Sequence, residues 1–386
     1  VTLEHLINTK RILVVMGPGG VGKTTLAATL GLEAARQSRR ALVLTIDPAM
    51  RLADALGLGN FSAGDHHKLP EDTLCRAGVP AKRPLFVAML DTGRSLTDLI
   101  VREISDPKRQ KRILENPFFD RLCHDLAGSR EYAAMEEIHH LHTRGEYDLL
   151  IVDTPPTIHG LDFLEAPDRI LDVLEYDSYR WLMRPALLTG KLGLKVLDFS
   201  GGYVVRTLSR FTGIRFLKDL AAFIDLFSGL MEGFRQRASA LRSILTTDSS
   251  AFLLVTTPDP SRSEECRYLN RRLSRRHLAP GAVVVNRVTP QPPQLPAEPE
   301  LSDKLTRALA EKVDPGDSQA AVTAMLSAHQ MLADLAKRDR SRLGELRESL
   351  PDHQEVITVP LLEEDVHDIA GLELMRRAVI TQGREP

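Results

Sequence analysis

The octapeptide Gly17-Pro18-Gly19-Gly20-Val21-Gly22-Lys23-Thr24 limits what this chain can fold into more than any other stretch. It matches G-x-x-x-x-G-K-[ST] in full. An apolar run over residues 11–16 precedes it and reads as a buried strand; a helical pattern over 23–36 follows. In that setting the backbone N–H groups of Gly19, Gly20, Val21 and Gly22 turn inward into an anion nest, and a helix starting at Lys23 adds its positive dipole end. A chance glycine-rich turn would lack both flanks. The motif predicts a phosphate site for ATP, with Lys23 reaching the β- and γ-phosphates, Thr24 a ligand of Mg²⁺, and Thr25 against the α-phosphate.

A loop of this kind needs a parallel sheet behind it. Further apolar runs at 41–46, 84–90, 149–152, 252–256, 282–285 and 355–359 read as strands, and the spacing of the first two is that of a βαβ unit. Continuous apolar strands alternating with helices predict an α/β fold, a doubly wound, mostly parallel sheet buried on both faces. Ligands in such sheets sit beyond the carboxyl ends of the strands. The glycine loop, Asp47 and Asp153 all fall at such ends.

Asp153 closes the run Tyr147-Asp148-Leu149-Leu150-Ile151-Val152. It stands where an acidic residue holds Mg²⁺ through water, although a strand-end aspartate also caps a following helix. Asp47 has a different candidate role, orienting the attacking water, with a structural cap as the alternative.

Composition excludes several other classes. Of 386 residues 43% are apolar and 26% charged, which are ordinary globular proportions rather than those of a disordered or fibrous chain. A net charge of −2 and 5% aromatics offer neither a basic field nor stacking platforms for nucleic acid, so no nucleic-acid partner is expected. No uncharged apolar stretch is long enough to cross a membrane, and no basic-then-apolar leader pattern is present. Three scattered cysteines form no CxxC pair and no disulfide framework. The expected location is cytoplasmic, with peripheral attachment to the inner membrane compatible with it.

The organisation expected is an ATPase core over 1–161, a helical subdomain over 162–246, and the second part of the core over 247–386. The insertion is too long for a single crossover helix. A proline-rich loop is expected at 290–299, a polar loop at 60–83, and a surface helix pair at 318–350.

Residues 17–25, Thr45-Ile46-Asp47-Pro48-Ala49, and Asp153-Thr154-Pro155-Pro156-Thr157 with His159 together resemble the ArsA family of deviant Walker ATPases. That family includes the ATPase of arsenite pumps and the ATPase that targets tail-anchored membrane proteins. The resemblance extends to Asn286 and to Val359-Pro360-Leu361-Leu362, two places that contact the adenine in the family. It implies that Asn286 and Pro360 bind nucleotide, that Asp47 belongs to switch I, and that 153–160 form switch II. It also implies a nucleotide-gated dimer, of two copies or with a paralogous subunit, that moves the helical subdomain to handle an apolar client or a membrane-associated protein. The chain departs from the family at Pro18, where a signature lysine is expected. Arg51 is the nearest cationic substitute in cis, and a paralogous subunit is the alternative in trans. The zinc-clamping CxxC of the targeting branch and the cysteine set of the arsenite branch are also unmatched. Two other functional classes remain: a positioning ATPase of the MinD or ParA type, and the ATPase subunit of an oxyanion or metalloid efflux pump.

Weaker signals have plainer readings. His139, His140 and His142 read as solvated helix residues, and His66-His67 as loop decoration. The stripe Leu220, Phe223, Ile224, Phe227, Leu230, Met231, Phe234 is either core or an adaptable apolar groove. The basic stretch over 177–215 suits a membrane surface, an acidic partner or a solvated face.

Overall fold

Adjacent residues of a strand point to opposite faces, so a strand apolar at every position must be covered on both. The computed structural model describes residues 2–47, 51–58, 61–76, 78, 83–124, 128–155, 230–278, 280–295, 298–310, 315–352 and 354–381. Within them lie the strands β1 (Ile12–Met16), β2 (Ala41–Thr45), β3 (His67–Lys68), β4 (Leu85–Met89), β5 (Leu149–Asp153), β6 (Ser250–Thr256), β7 (Pro280–Val288) and β8 (Glu355–Pro360). They form one sheet in the order β3-β4-β2-β5-β1-β6-β7-β8. All neighbours are parallel except β3, which runs antiparallel to β4 at the edge.

The two faces of the sheet carry separate cores. Ile12, Val14, Met16, Leu42 and Leu44 face one layer, which includes the helices Thr92–Glu103, Ser129–Arg144, Met231–Thr246 and Pro260–Ser274. Leu13, Val15, Val43, Leu149 and Ile151 face the other, where the helices Lys23–Arg36 and Ile369–Thr381 pack. The helix after the glycine loop is tied to the last helix by more than apolar contact. Arg376 donates to Glu33 at 2.7 Å and to Glu373 at 2.6 and 2.9 Å, and all three side chains are buried. Each charge in that cluster has its partner, as burial requires.

All seven strands expected from the apolar runs are present, each within a few residues of its expected ends. Two expectations differ from the structure. The polar segment 60–83 is not wholly loop: it contributes β3 and the short helix Glu71–Arg76, whose Leu74 is fully buried. A two-residue edge strand has no periodicity that a sequence pattern can reveal. The span 318–350 is not a helix pair: all but its last two residues belong to one 34-residue helix, Pro315–Glu348. No glycine or proline interrupts 318–343, so nothing stops the helix, and its packing partner is the preceding helix Glu298–Ala310.

The expected helical subdomain lies mostly outside the described residues, as do the basic stretch over 177–215 and the stripe positions Leu220, Phe223, Ile224 and Phe227. Its last part, the helix Met231–Thr246, is docked on the sheet through Phe234, Leu241 and Leu245, each 3% exposed or less. Leu230 and Phe234, two members of the stripe, are therefore core. Below them Arg237 donates to both carboxylate oxygens of Glu136, at 2.8 and 2.9 Å, and pairs with Glu103 at 2.9 Å. Leu241→Ala is expected to destabilise the protein by about 2–5 kcal/mol, the cost of a buried leucine cavity. Urea unfolding measures it, and a loss well under about 1 kcal/mol would mean that this helix is not part of the core.

Candidate nucleotide-binding site

The strand order brings the predicted residues to one edge. Gly17 follows β1, Asp47 follows β2, Asp153 ends β5, Asn286 lies near the end of β7, and Pro360 ends β8. Because β5 pairs directly with β1, Asp153 is level with Val15, two residues before the loop begins.

Two glycines of the loop are dictated by space. A Cβ at Gly17 would overlap the Val255 carbonyl oxygen on β6, and a Cβ at Gly22, whose φ is 94°, would overlap the Asn286 side-chain amide. The loop is thus pressed against both neighbouring strands on its far side. Gly22 caps the helix Lys23–Arg36, so the N–H groups of its first turn open toward the loop.

Lys23 is 7% exposed, and its ammonium donates to the Pro18 carbonyl at 2.9 Å. Burial lowers its pKa to about 8, against the opposing pull of Asp153 and then Asp47. It therefore remains a cation at neutral pH.

Asp153 is fully buried. Its Oδ2 accepts from the Thr24 hydroxyl at 2.7 Å and from the Thr45 hydroxyl at 3.0 Å. Its Oδ1 is buried with no hydrogen-bond partner among the described residues. Burial raises the carboxyl pKa to about 6, partly offset by the two threonine hydroxyls and Lys23. A buried carboxylate oxygen without a donor, beside a threonine hydroxyl, is a hard-oxygen set that suits Mg²⁺ held directly or through water. The residues present fit the ion the sequence implied.

Asp47 is nearby: both its charge and that of Asp153 act on Lys23. Its carboxylate is 15% exposed and pairs with the Arg51 guanidinium at 3.4 Å, while Arg51 is 61% exposed. Pro48, Ala49 and Met50, between them, lie outside the described residues, as do Pro156, Thr157 and His159 of the second motif. Thr25 stands one residue beyond Thr24 in the first turn of the helix, where its carbonyl accepts from Thr29. Asn286 is 9% exposed and braces the loop, its amide donating to the Val21 carbonyl at 2.9 Å and its carbonyl accepting from the Arg287 N–H at 2.9 Å. Pro360 is half-buried at the end of the outer strand.

Sequence reasoning misses two members of the site. Thr45 enters the sequence reading only as part of a resemblance, yet it completes the Asp153 pairing. Arg287 carries no signal at all, and its Nη1 donates to the Gly20 carbonyl at 3.3 Å. The histidine readings also need correction. His139, His140 and His142 are half-buried rather than solvated, and burial lowers the pKa of each. His66 hydrogen-bonds the Tyr147 hydroxyl at 2.8 Å, so it fastens its loop to the start of β5. No group of three His, Cys, Asp or Glu side chains suited to a metal occurs among the described residues.

The Asp153 shift gives a pH signature. Its folded pKa, about 6, is above the unfolded value of 3.8, so the fold favours the protonated acid. The stability this group contributes is full below the unfolded pKa and is lost as pH rises through about 6. In the absence of Mg²⁺, wild-type stability is expected to fall over that window. Asp153→Asn should remove this part of the pH dependence, and urea midpoints across about pH 4–7 compare the two. Parallel curves for the two proteins would refute the buried-carboxylate account.

A family model described as anion-transporting ATPase matches residues 10–307. The chain is 30% identical to an uncharacterized protein of Streptomyces coelicolor over 77% of this chain and 67% of that one. It is 26% identical to the ATPase get3 of Schizosaccharomyces pombe over 78% of this chain and 83% of that one. To the ATPase ASNA1 homolog of Entamoeba dispar it is 28% identical over 45% of this chain, spanning about half (51%) of that protein's length.

Proposed function

The chain belongs to the anion-transporting ATPase family, and on that premise we propose that it is a Mg²⁺-dependent ATP hydrolase whose nucleotide state drives a dimer and the segment beyond Asp153. The observation that carries the reading is the buried Asp153 carboxylate. It is bonded to Thr24 of the loop by one oxygen, left open at the other, and lies close enough to Lys23 for its charge to act there.

The residues divide the work by chemistry. Backbone N–H groups of 19–24 cradle the phosphates, and Lys23, whose ammonium lies by the Pro18 carbonyl, would donate to phosphate oxygens. Thr24 and Asp153 would hold Mg²⁺, which when bound neutralises charge on the β- and γ-phosphate oxygens. Asp47 orients a water for in-line attack on the γ-phosphorus; the bond to the bridging oxygen breaks, and ADP and inorganic phosphate leave. Asn286 and Pro360 border the nucleotide at the β7 and β8 side, and Thr25 meets the α-phosphate.

Connectivity supports coupling to a partner. Asp153 is the last residue of β5, and Thr154 bonds the Val15 carbonyl on β1 through both its N–H (3.2 Å) and its hydroxyl (3.0 Å). A change in what Asp153 ligates would be passed to the chain that follows. We assign that chain, to about residue 229, to handling an apolar client or docking a membrane-associated protein, within a dimer of two copies or with a paralogue. No helix among the described residues is long and apolar enough to cross a membrane. A metalloid-pump role is less well supported. Cys123 and Cys266 are buried thiols whose pKa values burial pushes up to about 11 and about 12, and Cys75 is exposed on a separate helix.

Steady-state kinetics with equilibrium nucleotide binding tests the assignment. Asp47→Asn should bind ATP normally and lose turnover by about 10²–10⁴-fold, because water positioning is a transition-state contribution. Lys23→Ala should lose affinity, turnover or both. Unchanged activity in Lys23→Ala, or lost binding with preserved turnover in Asp47→Asn, would overturn these roles.

A further inference from the structure

The net charge of −2 hides an uneven distribution. Residues 260–277 and 337–348 carry eleven lysines and arginines against five aspartates and glutamates, a balance of +6 that leaves −8 for the rest of the chain. The fold brings these two stretches side by side. One is the helix Pro260–Ser274 with the turn that follows it, and the other is the last third of the helix Pro315–Glu348. Leu269 and Leu273 of the first and Leu343 and Leu346 of the second are buried in the same core, on one face of the sheet, and the two helices touch. Arg342 of the second donates to the Pro258 carbonyl, just ahead of the first, at 3.4 Å. Their outer sides therefore adjoin as one surface.

That surface exposes Arg271, Arg275, Lys337, Arg338, Arg340 and Arg347. None of the six is paired with a carboxylate among the described residues. Glu265 is taken by Arg262 at 3.5 Å, and Asp339 is buried on the Thr289 N–H and hydroxyl. Within the two stretches only Glu264, Glu345 and Glu348 are exposed acids. Like charges gathered without partners repel one another, and a negative partner removes that repulsion. The neighbours of the cations point to its kind. Met331, 66% exposed, lies seven residues before Arg338 and so on the same side of its helix, and Tyr268, 39% exposed, lies one turn from Arg271. Bulky apolar side chains among unpaired cations, on helices lying flat on a core, suit the headgroup layer of an anionic bilayer. A nucleic acid would ask for an element that enters a groove or for free stacking rings. Here both helices present their sides, and Tyr268 is engaged by Arg272, which lies 5.6 Å from its ring centroid and donates to its hydroxyl at 3.1 Å. An acidic peptide would answer the charges and leave Met331 in water.

We propose that the face formed by the helix Pro260–Ser274 and the end of the helix Pro315–Glu348 docks the protein on an anionic lipid surface through headgroup phosphates. Arginine dominates the face, and a planar guanidinium meets a phosphate through two oxygens at once. The proposal does not depend on ATP hydrolysis. It also concerns a different part of the chain from the segment after Asp153.

The test is co-sedimentation of the full chain with vesicles of phosphatidylcholine alone, and of phosphatidylcholine and phosphatidylglycerol in equal parts. Wild type should bind the anionic vesicles at about 0.1 M salt, bind the neutral ones weakly, and be released at about 1 M salt. A cation near such a surface contributes about fivefold in partitioning, so Arg271→Gln with Arg275→Gln, and Lys337→Gln with Arg338→Gln, should each lower binding about 10–30-fold. Thermal midpoints should stay unchanged, since all four side chains are exposed. Lys108→Gln with Lys111→Gln removes the same charge from the helix Pro107–Leu114, which packs on Thr92–Glu103, and should bind like wild type. Equal losses in all three double variants would mean that net charge alone decides, and no loss in the first two would put lipid binding elsewhere in the chain; each overturns the proposal. So does a wild type that ignores anionic vesicles, whether it captures duplex DNA or polyglutamate in the same assay or neither.

Discussion

Asp153 is a carboxylate with no exposure to water, held by two threonine hydroxyls from different elements and opposed by a buried lysine. Such a group is costly to bury, and only donors on several sides make it tolerable. Thr24 brings the loop helix, Thr45 brings β2, and the strand carrying Asp153 pairs with both β1 and β2. A single side chain therefore ties β5, β2 and the first turn of the loop helix together, while β1 is joined to them through backbone pairing. The oxygen left without a donor is the remainder of that arrangement, and it is where a hard cation would complete it.

The sheet extends this constraint outward. Apolar residues on both faces of β1, β2 and β5 require helices on both sides, and the buried Glu33–Arg376–Glu373 cluster fixes the loop helix against the end of the chain. On the opposite face, Arg237 and Glu136 secure the helix Met231–Thr246. Asp153 at the end of β5 and the helix Met231–Thr246 are thus both anchored in the sheet's core.

Much of this is legible in the sequence, for identifiable reasons. Strands buried on both faces leave uninterrupted apolar runs, so the fold can be read directly, and a phosphate loop cannot be built without glycines at fixed offsets, so Gly17–Thr24 stands out as the candidate site. Asp47 and Asp153 are visible because they end such runs. What cannot be read depends on contacts distant in the chain or on local exceptions. Thr45 matters only because β2 lies beside β5. His66 reads as loop decoration because its partner, Tyr147, is far away in the chain. The helix Pro315–Glu348 reads as two because its length exceeds what a surface helix ordinarily reaches. Arg287 is invisible to pattern reading, since its place beside Gly20 rests on a register shift and a positive φ that an arginine does not advertise.

The central claim, that Asp153 and Thr24 complete a Mg²⁺ site coupled to the phosphate loop, is tested most directly by calorimetric titration of the wild-type chain with ATP, with Mg²⁺ and with chelator. The account predicts one nucleotide site per chain whose ATP affinity is raised by Mg²⁺, with the Mg²⁺-dependent part weakening as pH falls through about 6 and Asp153 takes up its proton. ATP affinity indifferent to both Mg²⁺ and pH would contradict it.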